Sequence, residues 1–167
     1  MTTKNIQQRT HIFIAVEGEG DQSTIKWIQY LCDQQGLHVH LDCSVLGGGG
    51  YKTMLRRTER EKKRRERNKA KFSILLVDDD RAQRGDDGWS ISQLRQEATK
   101  QKINVCVQNP NQEGLLFRML PRNEGLQPTA DNVQKQLRRE WPDYRKPIDA
   151  RELQSKFSLN DLLRVAQ

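Results

Sequence analysis

Four acidic residues stand where chemistry could be done. Glu17 closes the apolar run 11–16, and Asp78 and Asp80 close the apolar run 72–77. Glu113 follows a third run, 103–107, after a short polar link. Short β-branched runs that end in polar loops read as buried parallel strands. In open α/β sheets ligands gather outside the carboxyl ends of the strands. Carboxylates on separate strands can therefore converge in one cleft, where they repel one another unless a cation is shared. Hard cations such as Mg²⁺ take oxygen ligands of this kind. Alternate residues of an extended chain point the same way, so Asp78 and Asp80 can face one cation while Asp79 faces elsewhere. Glu19 reads as a solvent-facing loop residue and Asp21 as the N-cap of the helix that follows. No Ser/His/Asp arrangement and no tyrosine suited to a covalent intermediate is evident.

The elements that must hold these residues follow from periodicity. Strands are expected at about 11–16, 38–45, 72–77 and 103–107. Helices are expected from Asp21 to Gln35, from Tyr51 to Lys69, over 89–100, through Leu120 from the turn holding Glu113, and near 129–140. Asp149 to Glu152 and Ser158 to Asp161 each read as the capped start of a short helix. The alternating order implies parallel pairs with right-handed crossovers, with the second strand near an edge. The fold class is α/β, a parallel Rossmann-like sheet flanked by helices with a short helical C-terminal extension. The divisions are a tail over 1–10, a catalytic domain over 11–120, and a helical extension over 121–167 packed on the same domain.

The chain has 167 residues, 34% hydrophobic and 31% charged, which suits one polar domain with a real core. No apolar stretch approaches a membrane span and the N-terminus carries no apolar signal region, so a cytoplasmic protein without a membrane partner is expected. Cys32, Cys43 and Cys106 read as reduced core residues, and His38 and His40 as surface residues. The net charge is +7, and the segment Arg56–Lys71, with ten basic and three acidic residues, carries a surplus of the same size. One reading is a solvated helix with interleaved charges. The other is a helix that contacts a polyanion, with Lys52, Arg56, Arg60, Lys63, Arg64 and Arg67 on phosphates. Arg81 could contact a phosphate or pair with the acidic cluster. Gly47–Gly50 reads either as a hinge or as a loop that offers backbone N–H groups to a phosphate at the next helix.

These residues resemble the Toprim superfamily and, within it, the RloB-like proteins of bacterial restriction and antiphage loci. Val16-Glu17-Gly18 and Asp78-Asp79-Asp80 match the family's Glu after the first strand and Asp-x-Asp after a later one. The segment 17–21 resembles its Glu-Gly-x-x-Glu/Asp opening, and Gly47–Gly50 its glycine-rich second loop. The segment 109–116 resembles its Asn-Pro-x-x-Glu-x-x-Leu-Leu stretch. The likeness covers about 11–120. It implies a Toprim fold and Mg²⁺-dependent phosphodiester hydrolysis, with Mn²⁺ as a substitute metal. Glu17 is then an acid/base or metal ligand, Asp78 and Asp80 are metal ligands, and Glu113 is an extra ligand or orienting group. The implied partners are nucleic acid, an ATPase or other defence-system protein, and further copies of the chain. Two other readings stay open, a non-catalytic nucleic-acid- or partner-binding module and a small-molecule phosphohydrolase.

Overall fold

The computed structural model describes residues 8–65, 69–79 and 87–166. Asp80, Arg67 and Arg81 lie outside the described residues. Among those described there are four strands and seven helices, in the order β1 (Thr10–Val16), α1 (Glu19–Gln34), β2 (Val39–Val45), α2 (Tyr51–Arg64), β3 (Phe72–Asp78), α3 (Ile91–Lys100), β4 (Asn104–Gln108), α4 (Gln112–Met119), α5 (Val133–Glu140), α6 (Ala150–Lys156) and α7 (Leu159–Ala166). The strands form one parallel sheet in the order β2-β1-β3-β4. The protein is thus an α/β protein, as its sequence implies. No helix among the described residues is long and apolar enough to cross a membrane.

Both faces of the central strands are covered, which is why β1 and β3 read as continuous apolar runs. Phe13, Ala15, Leu75 and Val77 pack beneath Tyr51, Met54 and Leu55 of α2 and Leu94 and Ala98 of α3. The alternate residues Ile14, Val16, Ile74 and Leu76 meet Ile25 and Ile28 of α1. The edge strand β2 is partly closed within the chain. Gln29 of α1 donates to the Val39 carbonyl at 3.1 Å and accepts from the Leu41 N–H at 2.7 Å, which occupies backbone groups that an edge would otherwise expose.

The C-terminal segment forms a further layer over α1. Trp27 and Leu31 leave the sheet-facing side of α1 and pack against Leu116, Phe117 and Leu120, and against Val133, Leu137, Trp141, Tyr144 and Phe157. Helix α1 is therefore buried on two sides. Trp27, which packs on the other side of α1 from Ile25, is fully buried.

Several expectations are corrected. Gly18, not Asp21, is the N-cap of α1; Asp21 sits in the first turn and its Oδ2 accepts from the Gly18 N–H at 3.2 Å. Helix α2 stops at Arg64, short of Lys69, which has a positive φ of 48°. The cysteines are free, but they are not core residues. Cys32 and Cys43 are half-buried, and Cys106 is exposed on β4, where an edge strand leaves one side open to water. The two capped starts near the C-terminus are present: Asp149 Oδ1 accepts from the Arg151 N–H at 2.7 Å, and Asp161 accepts from the Ser158 N–H at 2.7 Å.

Trp27 joins α1 to the C-terminal layer, with the Phe157 ring centroid 6.2 Å away. Trp27→Ala is expected to cost about 3–5 kcal/mol, the usual loss for a large aromatic deleted from a core. Urea unfolding followed by circular dichroism measures it.

Candidate active site

The strand order reverses direction between β1 and β3. The connection from β1 goes outward to β2, and the chain then crosses back to β3 on the other side. Loops that leave two adjacent strands in opposite directions open a crevice at their carboxyl ends. Glu17 follows β1 there, and Asp78 is the last residue of β3. Both line a cleft of about 500 Å³ with Asp21, Glu113, Gln134 and Lys146. The cleft has one acidic wall, from the β1–α1 turn, β3 and α4. Its other wall comes from the C-terminal segment.

Hydrogen bonds fix the acidic wall. Gln108 ends β4 in register with Asp78. Its Nε2 donates to Asp21 Oδ1 at 2.8 Å and to Asp78 Oδ1 at 3.2 Å, so one amide holds two carboxylates from different elements. Gln112 of α4 donates to Thr24 Oγ1 at 2.7 Å and to the Gly20 carbonyl. A Cβ at position 20 would collide with the Gln112 amide, so the glycine leaves room for that side chain against the α1 turn. Asn111 caps α4 by accepting from the Gly114 N–H at 3.1 Å, and Glu113 falls in the first turn.

Glu113 is 2% exposed. Its Oε1 accepts from Lys146 Nζ at 2.7 Å and from the Tyr144 hydroxyl at 3.3 Å. Lys146 is 58% exposed, so its ammonium stands at the water-facing side of the pair. One oxygen of Glu113 is thus engaged twice. Burial raises the pKa of Asp21 above the ordinary carboxylate value, and the charge of Glu113 raises it further. The Gln108 and Gly18 hydrogen bonds and Lys146 work in the opposite direction. Burial first, and then the Glu113 charge, push the Tyr144 phenol up, so that it remains a donor.

The glycine-rich loop is neither a plain hinge nor an open anion site. Arg57 ties it down by donating to the Leu46 and Gly48 carbonyls at 3.0 and 2.7 Å. The first N–H groups of α2 are met by a carboxylate of the chain itself. Asp87 Oδ2 accepts from Lys52 N at 2.8 Å and from Thr53 N at 3.3 Å, and a Cβ at Gly50 would collide with it.

Of the sequence-predicted residues, Glu17, Asp78 and Glu113 meet in the cleft. Helix α2 starts beside it, where the Tyr51 hydroxyl donates to the Asp78 carbonyl at 2.7 Å, and then runs away. Its far end meets the end of α3, with Lys62 Nζ 2.8 Å from the Gln101 carbonyl. At 1.5 Å per residue, Arg64 lies roughly 20 Å along the axis from Tyr51. Lys52 and Arg56 are near the cleft end, and Arg60, Lys63 and Arg64 are not. Among the described residues no group of three or more His, Cys, Asp and Glu side chains is drawn together as a ready metal site. Asp21, Gln108, Tyr144 and Lys146 were missed as site residues. Asp21 carried a signal in its spacing from Glu17, and Gln108 in its place at a strand end. Lys146 and Tyr144 sit in a loop whose local pattern gives no hint of the cleft. Comparisons with protein-family models, with curated proteins and with solved structures find no match to this chain.

Two outcomes follow from this geometry. Lys146→Met removes the ammonium from a buried carboxylate and is expected to cost about 1–2 kcal/mol, less than for a fully buried pair because Lys146 is half in water. Adding Glu113→Gln should recover part of that loss, as a double-mutant cycle by chemical denaturation will show. Asp21 has a raised pKa in the folded state, so the native protein holds a proton that the unfolded chain gives up near 3.8. Stability attributable to Asp21 therefore falls as pH rises from about 3.8 through the folded-state value. The stability of Asp21→Asn relative to the parent protein should rise with pH across that window in urea titrations. A flat difference would show that burial does not penalise the Asp21 charge.

Proposed function

We propose that the protein is a metal-dependent nuclease of the Toprim type that hydrolyses phosphodiester bonds in DNA or RNA with Mg²⁺, or Mn²⁺ in its place. The observation that carries this reading is the meeting of Glu17 and Asp78 at the ends of adjacent parallel strands, in a cleft that also holds Asp21 and faces Lys146. The donor set is all oxygen, which suits a hard cation, and Glu17 and Asp78, with Asp80 of the same motif, are the residues that would hold it. A bound Mg²⁺ supplies an activated water and offsets charge on the leaving oxygen.

The chain's own residues do the rest. Gln108 keeps the Asp21 and Asp78 carboxylates oriented toward one region. Glu113, itself held by the Tyr144 hydroxyl, holds Lys146 at the mouth, where its ammonium attracts a phosphate that the acidic wall would otherwise repel. Helix α2 adds a positive surface that begins beside Asp78. The resemblance in the 11–120 segment supports a role as a cytoplasmic effector of an antiphage or restriction-associated system, working with an ATPase or another protein of that system, or with further copies of the chain. A small-molecule phosphohydrolase is the second reading, and the volume of the cleft, about 500 Å³, favours it.

Plasmid, single-stranded DNA and total RNA, each with and without Mg²⁺ or Mn²⁺, test the activity. Glu17→Gln and Asp78→Asn are each expected to lower metal-dependent cleavage by about a hundredfold or more, with circular dichroism unchanged. Lys146→Met should lower it by roughly tenfold. Cleavage at the parent rate by the Glu17→Gln/Asp78→Asn double variant would sink the assigned site. Turnover of small phosphate esters with no action on any nucleic acid would move the function to the second reading.

A further inference from the structure

Four basic side chains form one line along α2. Lys52, Arg56, Arg60 and Lys63 are all exposed, and their spacing of four, four and three residues puts them on one helical face. None of the four side chains makes a hydrogen bond or ion pair among the described residues. Their neighbours are engaged. Arg57 binds the glycine loop, Lys62 the Gln101 carbonyl, Arg64 Glu61, and Arg65 Asp42. The line starts one residue after Tyr51, which touches Asp78, and so leads away from the cleft.

Beside the line, between α2 and α3, lies a groove of about 170 Å³, lined by Lys52, Leu55, Arg56, Glu59, Trp89 and Glu97, with Gln101 at its end. A space of roughly 150 Å³ holds one benzene ring. Trp89 is only partly buried, whereas Trp27 is fully buried and Trp141 is 7% exposed. An indole beside a row of cations is the arrangement that takes single-stranded nucleic acid, with the backbone on the cations and a base on the ring. Bases in a duplex have both faces covered by their neighbours, so they offer a stacking side chain no free face. Glu59 can accept from the edge of a seated base and Gln101 can accept from or donate to it, whereas the Oε1 of Glu97 is already held by Lys100 at 2.7 Å.

We propose that the α2–α3 groove is a binding track for single-stranded nucleic acid, with phosphates along Lys52, Arg56, Arg60 and Lys63 and one base stacked on Trp89. The proposal rests on nucleic acid being the substrate of the proposed nuclease, and it names the strand form that enters. Trp89 also packs against the core beneath α2 and α3, so the proposal adds a ligand-facing role to a packing one.

The test uses a ten-nucleotide oligothymidylate in buffer without divalent cations, where cleavage cannot contribute to the signal. Binding should quench the tryptophan fluorescence of the parent protein, because Trp89 is the one tryptophan of the three within reach of a ligand. In anisotropy titrations with labelled oligonucleotide, Trp89→Ala should weaken binding about tenfold. Trp89→Phe keeps a ring in the groove and should restore most of the loss, which separates stacking from damage to the fold. Neutralising Lys52, Arg56 and Arg60 should flatten the dependence of log affinity on log salt by up to about 0.7 for each contact. Saturable binding without quenching would overturn the proposal, as would unaltered affinity in a folded Trp89→Ala variant or equal affinity for a duplex of the same length. Loss of cleavage in Glu17→Gln with quenching intact would leave the track standing, so the two ideas fail separately.

Discussion

Gathering carboxylates in one crevice is the constraint around which the rest of the molecule is arranged. Glu17, Asp21, Asp78 and Glu113 line one cleft, and like charges brought together in a partly buried place destabilise the fold. The compensating contacts come from several elements. Gln108 of β4 serves Asp21 and Asp78, the Gly18 N–H serves Asp21, and Lys146 and Tyr144 from the C-terminal loop serve Glu113. A fold that spends its nearest amide and ammonium donors on neighbouring carboxylates gains little stability from them, because desolvation offsets much of the attraction.

This constraint explains why the C-terminal segment is part of the domain. Without it α1 would expose Trp27 and Leu31, and Glu113 would lack both of its partners. The same chain segment thus seals an apolar surface and brings a cation to the acidic cleft. Trp141 and Tyr144, with rings 5.5 Å apart, carry the second task on the first, since the packed aromatic pair positions the loop that ends in Lys146.

The positive surplus is distributed in the same economical way. Arg57, Lys62, Arg64 and Arg65 are occupied with the chain's own carbonyls and carboxylates, while Lys52, Arg56, Arg60 and Lys63 point to solvent. A count of charges overstates what a ligand can meet. At the start of α2 the polarity even reverses, because Asp87 has taken the N–H groups that an outside anion would need.

The order of strands and helices, the parallel sheet, the edge position of β2 and the placing of Glu17, Asp78 and Glu113 after their strands were all legible in the sequence. Strand periodicity and cap residues are local signals, and chemistry at strand ends follows from the topology of the class. Helix ends were less legible: nothing in the run of Arg and Lys says that α2 stops at Arg64. The role of Asp21 was misread because a first-turn acid and an N-cap acid look alike in sequence, and only the extended backbone at Gly18 separates them. The pairing of Glu113 with Lys146 spans 33 positions, and that of Gln108 with Asp21 spans 87. Contacts at such separation depend on how layers stack, not on any local preference. The sequence by itself therefore determined which residues end the strands and carry charge. The tertiary structure alone decided which of those charges meet, because the packing of the C-terminal layer on α1 sets the second wall of the cleft.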